Sequence, residues 1–282
     1  MHVGRPQVRG RQDAVRGVPG GGRAPMKVVS DLMQTLPLLK SDDPITKARQ
    51  LLRDDDFREL YIQDAGGRLV GIIDISDVLM VTDTRSNLTL SSLMREAPAV
   101  YEDTSVEETL RVIRDARTDS AGVIRKTGEL RGVIRLSDLF PVAITRQNPS
   151  GLIEDYMTRR VVTCREDEYL YRVYAMITES GYDALPVVRG EGNEIVGIVS
   201  RRELLQGHLR NSILARHKTP VQLIMVTPPI IGFRGDTVAD AARAMIKHDI
   251  GRLPVIEPDG SVIGILSRQD VLRALYLPGE DE

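Results

Sequence analysis

The chain has 282 residues, 41% hydrophobic and 28% charged, with a formal net charge of −2 at pH 7. This is the composition of a globular protein with room for one large domain or two ordinary ones, and it excludes an extended disordered chain. Near-neutral charge leaves no global basic field for nucleic acid, and 4% aromatic residues with no Trp leave few platforms for stacking bases.

Cys164 is the single cysteine, so no intrachain disulfide can form and nothing points to an oxidising compartment. No apolar run approaches the roughly 18–20 residues that span a bilayer. The basic N-terminus lacks the apolar stretch of a secretory signal. The expectation is a cytoplasmic protein without a membrane contact.

In chain order, residues 1–25 come first and stand apart. They hold six Gly, five Arg and one acid, with no apolar periodicity. Such a segment cannot bury enough surface to offset its ordering entropy. It is expected to be a disordered leader, with Met26 as a candidate true start; no aromatic is interleaved to make it a nucleic-acid arm.

From residue 26 one grammar repeats four times. Each copy opens on an apolar pair ending in Met: Leu32-Met33, Leu93-Met94, Tyr156-Met157 and Ile224-Met225. Each closes on a Gly with two apolar residues: Gly71-Ile72-Ile73, Gly132-Val133-Ile134, Gly197-Ile198-Val199 and Gly264-Ile265-Leu266. The closing glycines recur every 61 to 67 residues, a spacing that four copies do not reach by chance.

The first copy, 26–83, offers Asp43 as N-cap and Pro44 as first helical residue, followed by Ile45, Ala48, Leu51 and Leu52 at helical spacing. In the second, 88–144, Ser105 and Glu108 read as a capping box. The stretch from Pro141 to Gly151 reads as irregular and as the boundary between two halves. The third, 152–208, has a short apolar stretch, Val161-Val162-Thr163, with Cys164 at its end as a core or near-core thiol. The basic run from Leu209 to Lys218 reads as a solvated linker.

The fourth copy, 219–277, is the plainest. Pro229-Ile230-Ile231 predicts a strand, and Val238, Ala241, Ala242 and Met245 a helix. Two β-rich runs, 253–256 and 262–266, flank the turn Pro258-Asp259-Gly260, and Val271, Leu272, Ala274 and Leu275 predict a closing helix. The unit is thus strand, helix, strand, strand, helix: an α/β (α+β) unit of about 60 residues, marginal alone and stabilised by pairing.

Each unit resembles a CBS (cystathionine β-synthase) domain, and the four resemble two paired CBS (Bateman) modules. The resemblance covers about residues 26–275 and is similar in arrangement to the gamma subunit of AMP-activated protein kinase and to stand-alone archaeal four-CBS proteins. It implies a non-enzymatic regulator that binds AMP, ADP or ATP in clefts between paired units and modulates a protein partner. It also implies a homodimer, or one chain whose halves form a disc. S-adenosylmethionine or another adenosyl ligand is the alternative; a ligand-free dimerisation scaffold is the third.

The segment after the closing Gly of unit 4 is Ser267-Arg268-Gln269-Asp270 and matches the family pattern G-h-h-[ST]-x-x-D. One carboxylate can accept from both adjacent hydroxyls of a ribose. The resemblance implies Asp270 on a ribose with Ser267 beside it; the same spacing is also a helix cap. Unit 3 has Ser200, Arg201, Arg202 and then Glu203, whose longer side chain reads as a cap. Unit 2 has Arg135 where the hydroxyl belongs and keeps Asp138, which could hold a ribose with Arg135 near phosphate. Unit 1 has Asp74 and Asp77, two carboxylates hostile to a phosphate. Arg252 and Arg58, each shortly before a strand, are the phosphate-binding candidates, with Arg201 and Arg268 at helix starts. Gly251 and Ile231 complete the expected site, whose best copy lies in 152–282. No metal ligand set, phosphate loop or catalytic group is expected: the four His show no metal spacing.

Overall fold

The computed structural model describes residues 28–37, 39–54, 57–81, 87–191, 193–210 and 219–276. Unit 1 is β1 (Leu39–Lys40), α1 (Ile45–Asp54), β2 (Glu59–Gln63), β3 (Leu69–Asp74) and α2 (Ile75–Met80). Unit 2 is β4 (Ala99–Tyr101), α3 (Val106–Ala116), β5 (Ser120–Ile124), β6 (Leu130–Arg135) and α4 (Leu136–Arg146). Unit 3 starts with the one-turn α5 (Ile153–Tyr156), then β7 (Cys164–Arg165), α6 (Leu170–Ser180), β8 (Ala184–Arg189), β9 (Glu194–Ser200) and α7 (Arg201–Arg210). Unit 4 is β10 (Gly232–Phe233), α8 (Val238–Lys247), β11 (Arg252–Ile256), β12 (Val262–Ser267) and α9 (Arg268–Tyr276). In every unit the first strand runs parallel to the second, and the second antiparallel to the third.

Units pair by exchanging their opening segments. The segment after Met33 crosses to unit 2, where Gln34 and Val133 exchange backbone hydrogen bonds of 2.8 and 2.9 Å. Arg95 and Ile72 return the exchange at 2.9 and 3.0 Å. Units 3 and 4 do the same through Thr158 with Ile265 and Val226 with Ile198. The crossing chain lies directly on the closing Gly of its partner. A Cβ on Gly132 would stand 2.6 Å from Gln34 O; one on Gly197 would stand 3.0 Å from Val226 O and 2.7 Å from Met225 Sδ. Met94 covers Gly71 and Met157 covers Gly264 in the same way. The Met and the Gly that mark each repeat therefore touch across units, not within one.

The two pairs join through helices. α4 packs on α8, and α1 and α2 pack on α7. One core runs through units 2 and 4, containing Phe140, Leu139, Val238, Met245 and Leu272. Leu205 of α7 enters the core of unit 1, and Tyr174 Oη donates to Leu79 O at 2.5 Å. The order of contact is 1–2–4–3 and back to 1, a closed ring made by a single chain.

Local details differ from expectation at several places. The first strand of unit 4 is Gly232–Phe233, just after the expected Pro229-Ile230-Ile231. At the start of α3, Ser105 Oγ accepts from Glu108 N at 3.2 Å, which is half of the expected capping box. α1 starts one residue late: Asp43 accepts from Lys40 N at 2.8 Å and pairs with Lys47, and Pro44 stands outside the helix. α4 runs through Pro141 to Arg146, so the irregular connection begins only at Gln147. Proline inside a helix costs about 3 kcal/mol. Leu136, Leu139, Phe140, Ala143 and Ile144 are all buried, and each large side chain contributes about 1.5–3 kcal/mol, so the packed face outweighs the lost bond. α7 continues through Leu209 and Arg210, which were expected in the linker. The leader 1–25 and most of that linker lie outside the described residues. Cys164 is buried, and burial pushes its thiol up to about 12. Among the described residues, no helix is long and apolar enough to cross a membrane.

Gly132→Ala should lower stability by about 1–3 kcal/mol, because backbone blocks the new methyl and cannot turn aside as a methionine can. Gly235→Ala, with nothing within 4 Å of its Cβ, should stay within about 0.5 kcal/mol of wild type in chemical denaturation. Equal effects of the two substitutions would contradict the exchanged-segment packing.

Candidate ligand-binding cavity

α2, α4, α7 and α9 begin where β3, β6, β9 and β12 end, and all four helix starts face the middle of the ring. With the residues just before β2, β5, β8 and β11 they line one cavity of about 910 Å³. Among the described residues, ten arginines and seven carboxylates line it, with no lysine, histidine or cysteine. Backbone N–H groups at helix starts add partial positive charge.

Of the eleven site residues chosen from sequence, nine line this cavity: Arg58, Asp138, Ser200, Arg201, Gly251, Arg252, Ser267, Arg268 and Asp270. Asp77 and Ile231 do not. Asp77 is turned onto Arg95 at 2.8 Å, and Arg95 also holds Asp74 at 2.8 Å. The two carboxylates of unit 1 are thus neutralised by an arginine of the unit 2 opening segment, where bare acids were expected. Burial and the Asp74 charge raise Asp77 above the ordinary carboxylate range, with Arg95 opposing them. Ile231 is displaced from the cavity by the segment exchange. The opening residues that wall the Asp270 cleft belong to unit 3, Thr158 to Val162, because Thr158 pairs with Ile265.

The four acids at the helix starts have different company. Asp138 is held by Arg135 at 2.9 and 3.0 Å and by Gln34 at 3.2 Å to each oxygen. Arg135 therefore faces its own carboxylate, where it was expected to face a phosphate. Glu203 accepts from Ser200 N at 2.8 Å and Ser200 Oγ at 2.5 Å, the cap expected of it. Asp270 completes a capping box: Oδ2 accepts from Ser267 N at 2.8 Å and Ser267 Oγ at 2.7 Å, while Ser267 Oγ accepts from Asp270 N at 3.2 Å. Its Oδ1 stands 3.3 Å from Arg273, a half-exposed side chain. Burial raises Asp270, against its bonds to Ser267 and the charges of Arg273 and Arg252.

The cations around Asp270 come from two units. Arg252 is mostly buried, which pushes its guanidinium down to about 10, and Asp119 and Asp270 support its charge. It is ion-paired to Asp183 of unit 3, as is Arg201 at 2.9 Å. Arg268 bonds Asp249 at 3.1 Å and lies 5.7 Å over the ring of Phe140 in unit 2. Arg268 Nε and Gln269 Oε1 are buried with no hydrogen-bond partner among the described residues. Arg58 meets Asp119 at 3.3 Å. Glu59 lies beneath them, accepting from Asp119 N at 3.0 Å and Ser120 Oγ at 2.5 Å.

Sequence reasoning missed Asp183, Asp119, Asp249, Glu59 and the Val161-Val162 wall. One signal was available: Asp119 and Asp183 stand at the same place in the repeat as Arg58 and Gly251, so aligning the copies puts two acids beside the expected cation positions.

A family model for the CBS domain matches residues 29–82, 90–143, 153–209 and 221–277. The uncharacterized protein MJ1404 of Methanocaldococcus jannaschii is 28% identical over 250 residues, covering 82% of this chain; the chain spans 58% of that relative's length. Protein MJ1225 of the same organism is 25% identical over 258 residues, covering 81% of this chain and 91% of that protein. The crystal structure of MJ1225, a proposed archaeal homolog of g-AMPK, matches 88% of this chain and 99% of that one with a TM-score of 0.74 at 22% identity. A conserved uncharacterized protein from Pyrococcus horikoshii matches 88% of this chain and 100% of its own with a TM-score of 0.62 at 25% identity. The four-unit fold is shared with these proteins.

Burial, with the nearby charges of Asp119 and Asp74, lifts Glu59 from 4.5 to about 7, against its bonds from Ser120 and Asp119 N. The folded protein holds this proton at pH values where the unfolded chain has released it. Its contribution to stability is therefore full below about pH 4.5 and lost as pH rises to about 7. Glu59→Gln should gain on wild type by on the order of 1–3 kcal/mol between pH 4.5 and pH 8 in urea denaturation. A difference that does not change with pH would contradict the assignment.

Proposed function

The chain belongs to the CBS-domain family, and we propose that it is a regulatory sensor of adenine nucleotides, AMP, ADP or ATP, that modulates a protein partner. The ligand lies in the cavity against units 3 and 4. The observation that carries this reading is the company kept by the four helix-start acids. Asp138 and Asp77 are taken up by arginines reaching them at 3.0 Å or less, and Glu203 by its own cap. Asp270 keeps one oxygen toward a half-exposed arginine at 3.3 Å, with Arg201, Arg252 and Arg268 lining the same space. A ribose on Asp270 and a phosphate on the arginines fit that set, with Val161, Val162 and Ile265 as apolar wall for the base.

A ligand there touches more than one unit, so it favours one arrangement of the ring over another to the extent that it binds that arrangement better. A homodimer is not needed to complete the cavity, because the helical faces that would join two chains are already joined within one. We read the protein as a regulator and not an enzyme: the acids at the helix starts of the cavity are held by capping or arginine pairs. S-adenosylmethionine is the second reading, favoured by Asp119, Asp183 and Asp249 on the cavity wall, which suit a cationic ligand. A ligand-free scaffold would bind none of these.

A thermal-shift panel with AMP, ADP, ATP, adenosine and S-adenosylmethionine tests this directly, since a ligand at 100 times its Kd adds about 2.7 kcal/mol. By calorimetry, Asp270→Ala should weaken AMP by at least about tenfold, the worth of one charged hydrogen bond. Arg252→Ala should weaken AMP and spare adenosine, and Asp77→Ala should cost less than Asp270→Ala. AMP binding that survives Asp270→Ala but not Asp77→Ala would put the site in the other half.

A further inference from the structure

Asp183 sits in the short loop between α6 and β8, after Gly181, whose φ of +72° ends the helix. Its two carboxylate oxygens are held by two arginines from two units. Oδ1 takes Arg201 NH1 at 2.9 Å, from the first turn of α7 in unit 3, and Oδ2 takes Arg252 NH2, from the first residue of β11 in unit 4. A carboxylate clasped by two converging guanidinium groups is the arrangement that would otherwise hold a phosphate. The partners are unequally anchored. The Arg201 and Arg252 side chains are 18% and 19% exposed, while that of Asp183 is 46% exposed. The arginines are fixed in the cavity wall, and the acid can turn to water. Arg201 NH1 also donates to Ser76 Oγ of unit 1, but Asp183 is the carboxylate ion-paired to both mostly buried guanidinium groups, so a phosphate that bridges the two takes its place.

The repeat places an acid here in units 2 and 3, as Asp119 and Asp183, and not in units 1 and 4. The same position carries Gly251 in unit 4, which has no side chain to offer, and Arg58 in unit 1. In the other half, Asp119 of unit 2 pairs with Arg58 of unit 1 at 3.3 Å, but there the arginine side chain is itself 42% exposed and water can solvate it without the acid.

We propose that Asp183 is a specificity-determining residue that competes, within the chain, with the phosphate of an incoming ligand for Arg201 and Arg252. This rests on the reading that an adenosyl ligand occupies the cleft of units 3 and 4. Asp183 lowers affinity for phosphate-bearing ligands, leaves a neutral nucleoside unaffected, and raises the threshold concentration at which a nucleotide is sensed. Displaced by phosphate, it also frees the loop 181–183, which places the first structural response to the ligand at the junction of units 3 and 4.

The test is calorimetry of AMP, adenosine and inorganic pyrophosphate on wild type and Asp183→Asn, which keeps shape and removes charge. Asp183→Asn should bind AMP and pyrophosphate at least about tenfold tighter, the effect of removing one charged competitor, and adenosine within about twofold. Unchanged or weaker binding of AMP and pyrophosphate would overturn the proposal and leave Asp183 a structural ion pair. If neither protein binds any adenosyl compound, the ligand reading fails by itself, and pyrophosphate alone then decides on Asp183; no pyrophosphate binding to either protein overturns it as well. Should Asp183→Asn not fold, hydrogen exchange on wild type replaces it. Pyrophosphate or AMP should speed exchange at the amides of Tyr182 and Asp183 where adenosine does not, and equal exchange would overturn the proposal.

Discussion

Four times in this chain a neighbouring unit's segment packs on a residue with no side chain, through its backbone at Gly132 and Gly197 and through a methionine at Gly71 and Gly264. At Gly71, Gly132, Gly197 and Gly264 the opening segment of one unit lies on the closing strand of its partner and exchanges backbone hydrogen bonds beside the glycine. The clasp is reciprocal, so neither unit of a pair completes its own edge. A unit of about 60 residues buries too little apolar surface to be secure alone, and the exchange turns two such units into one folding body. The β-bulge that falls beside the same glycine in all four sheets belongs to this device, bending the strand where the foreign segment arrives.

What the clasp fixes is the direction of the helices that follow it. Each closing strand ends at a helix start, and the paired units aim those starts the same way. Joining the pairs through α4 with α8 and α1 and α2 with α7 closes the ring and turns all four starts inward. The cavity is therefore polar by construction: helix N-termini bring positive ends, and the repeat brings an acid or hydroxyl to each. Such a concentration of charge is held by pairing. Arg135 answers Asp138, Arg95 answers Asp74 and Asp77, and Asp183 answers Arg201 and Arg252. Four similar sites became unequal through these partners and not through the repeat itself.

The fold was legible because its signal is local and copied. Hydrophobic periodicity and the Met and Gly marks recur in register, so the order strand, helix, strand, strand, helix followed from the sequence. The site was legible only in part. Ser267, Arg268, Asp270 and Arg252 are local to one unit and were found by motif. Asp183 belongs to a different unit from Arg252, and Arg95 to a different unit from Asp77. Single-unit reasoning does not see such partners. Ile231 shows the same limit from the other side: it stands where its own unit would line a cleft, but the exchange brings Val161 and Val162 of the neighbouring unit there. Pro141 was read as a break because local backbone chemistry was weighed without the buried face of α4, which exists only once unit 4 is packed against it.

The central claim is that one ring of four units presents one unequal cavity, in which Asp270 and the arginines of units 3 and 4 hold an adenine nucleotide. A crystal structure of the chain soaked with AMP tests it most directly. The account predicts the ribose hydroxyls on Asp270, the phosphate between Arg201 and Arg252, and the base against Val161, Val162 and Ile265. AMP found instead on Asp138 or Asp77, with the Asp270 cleft unchanged, would contradict it.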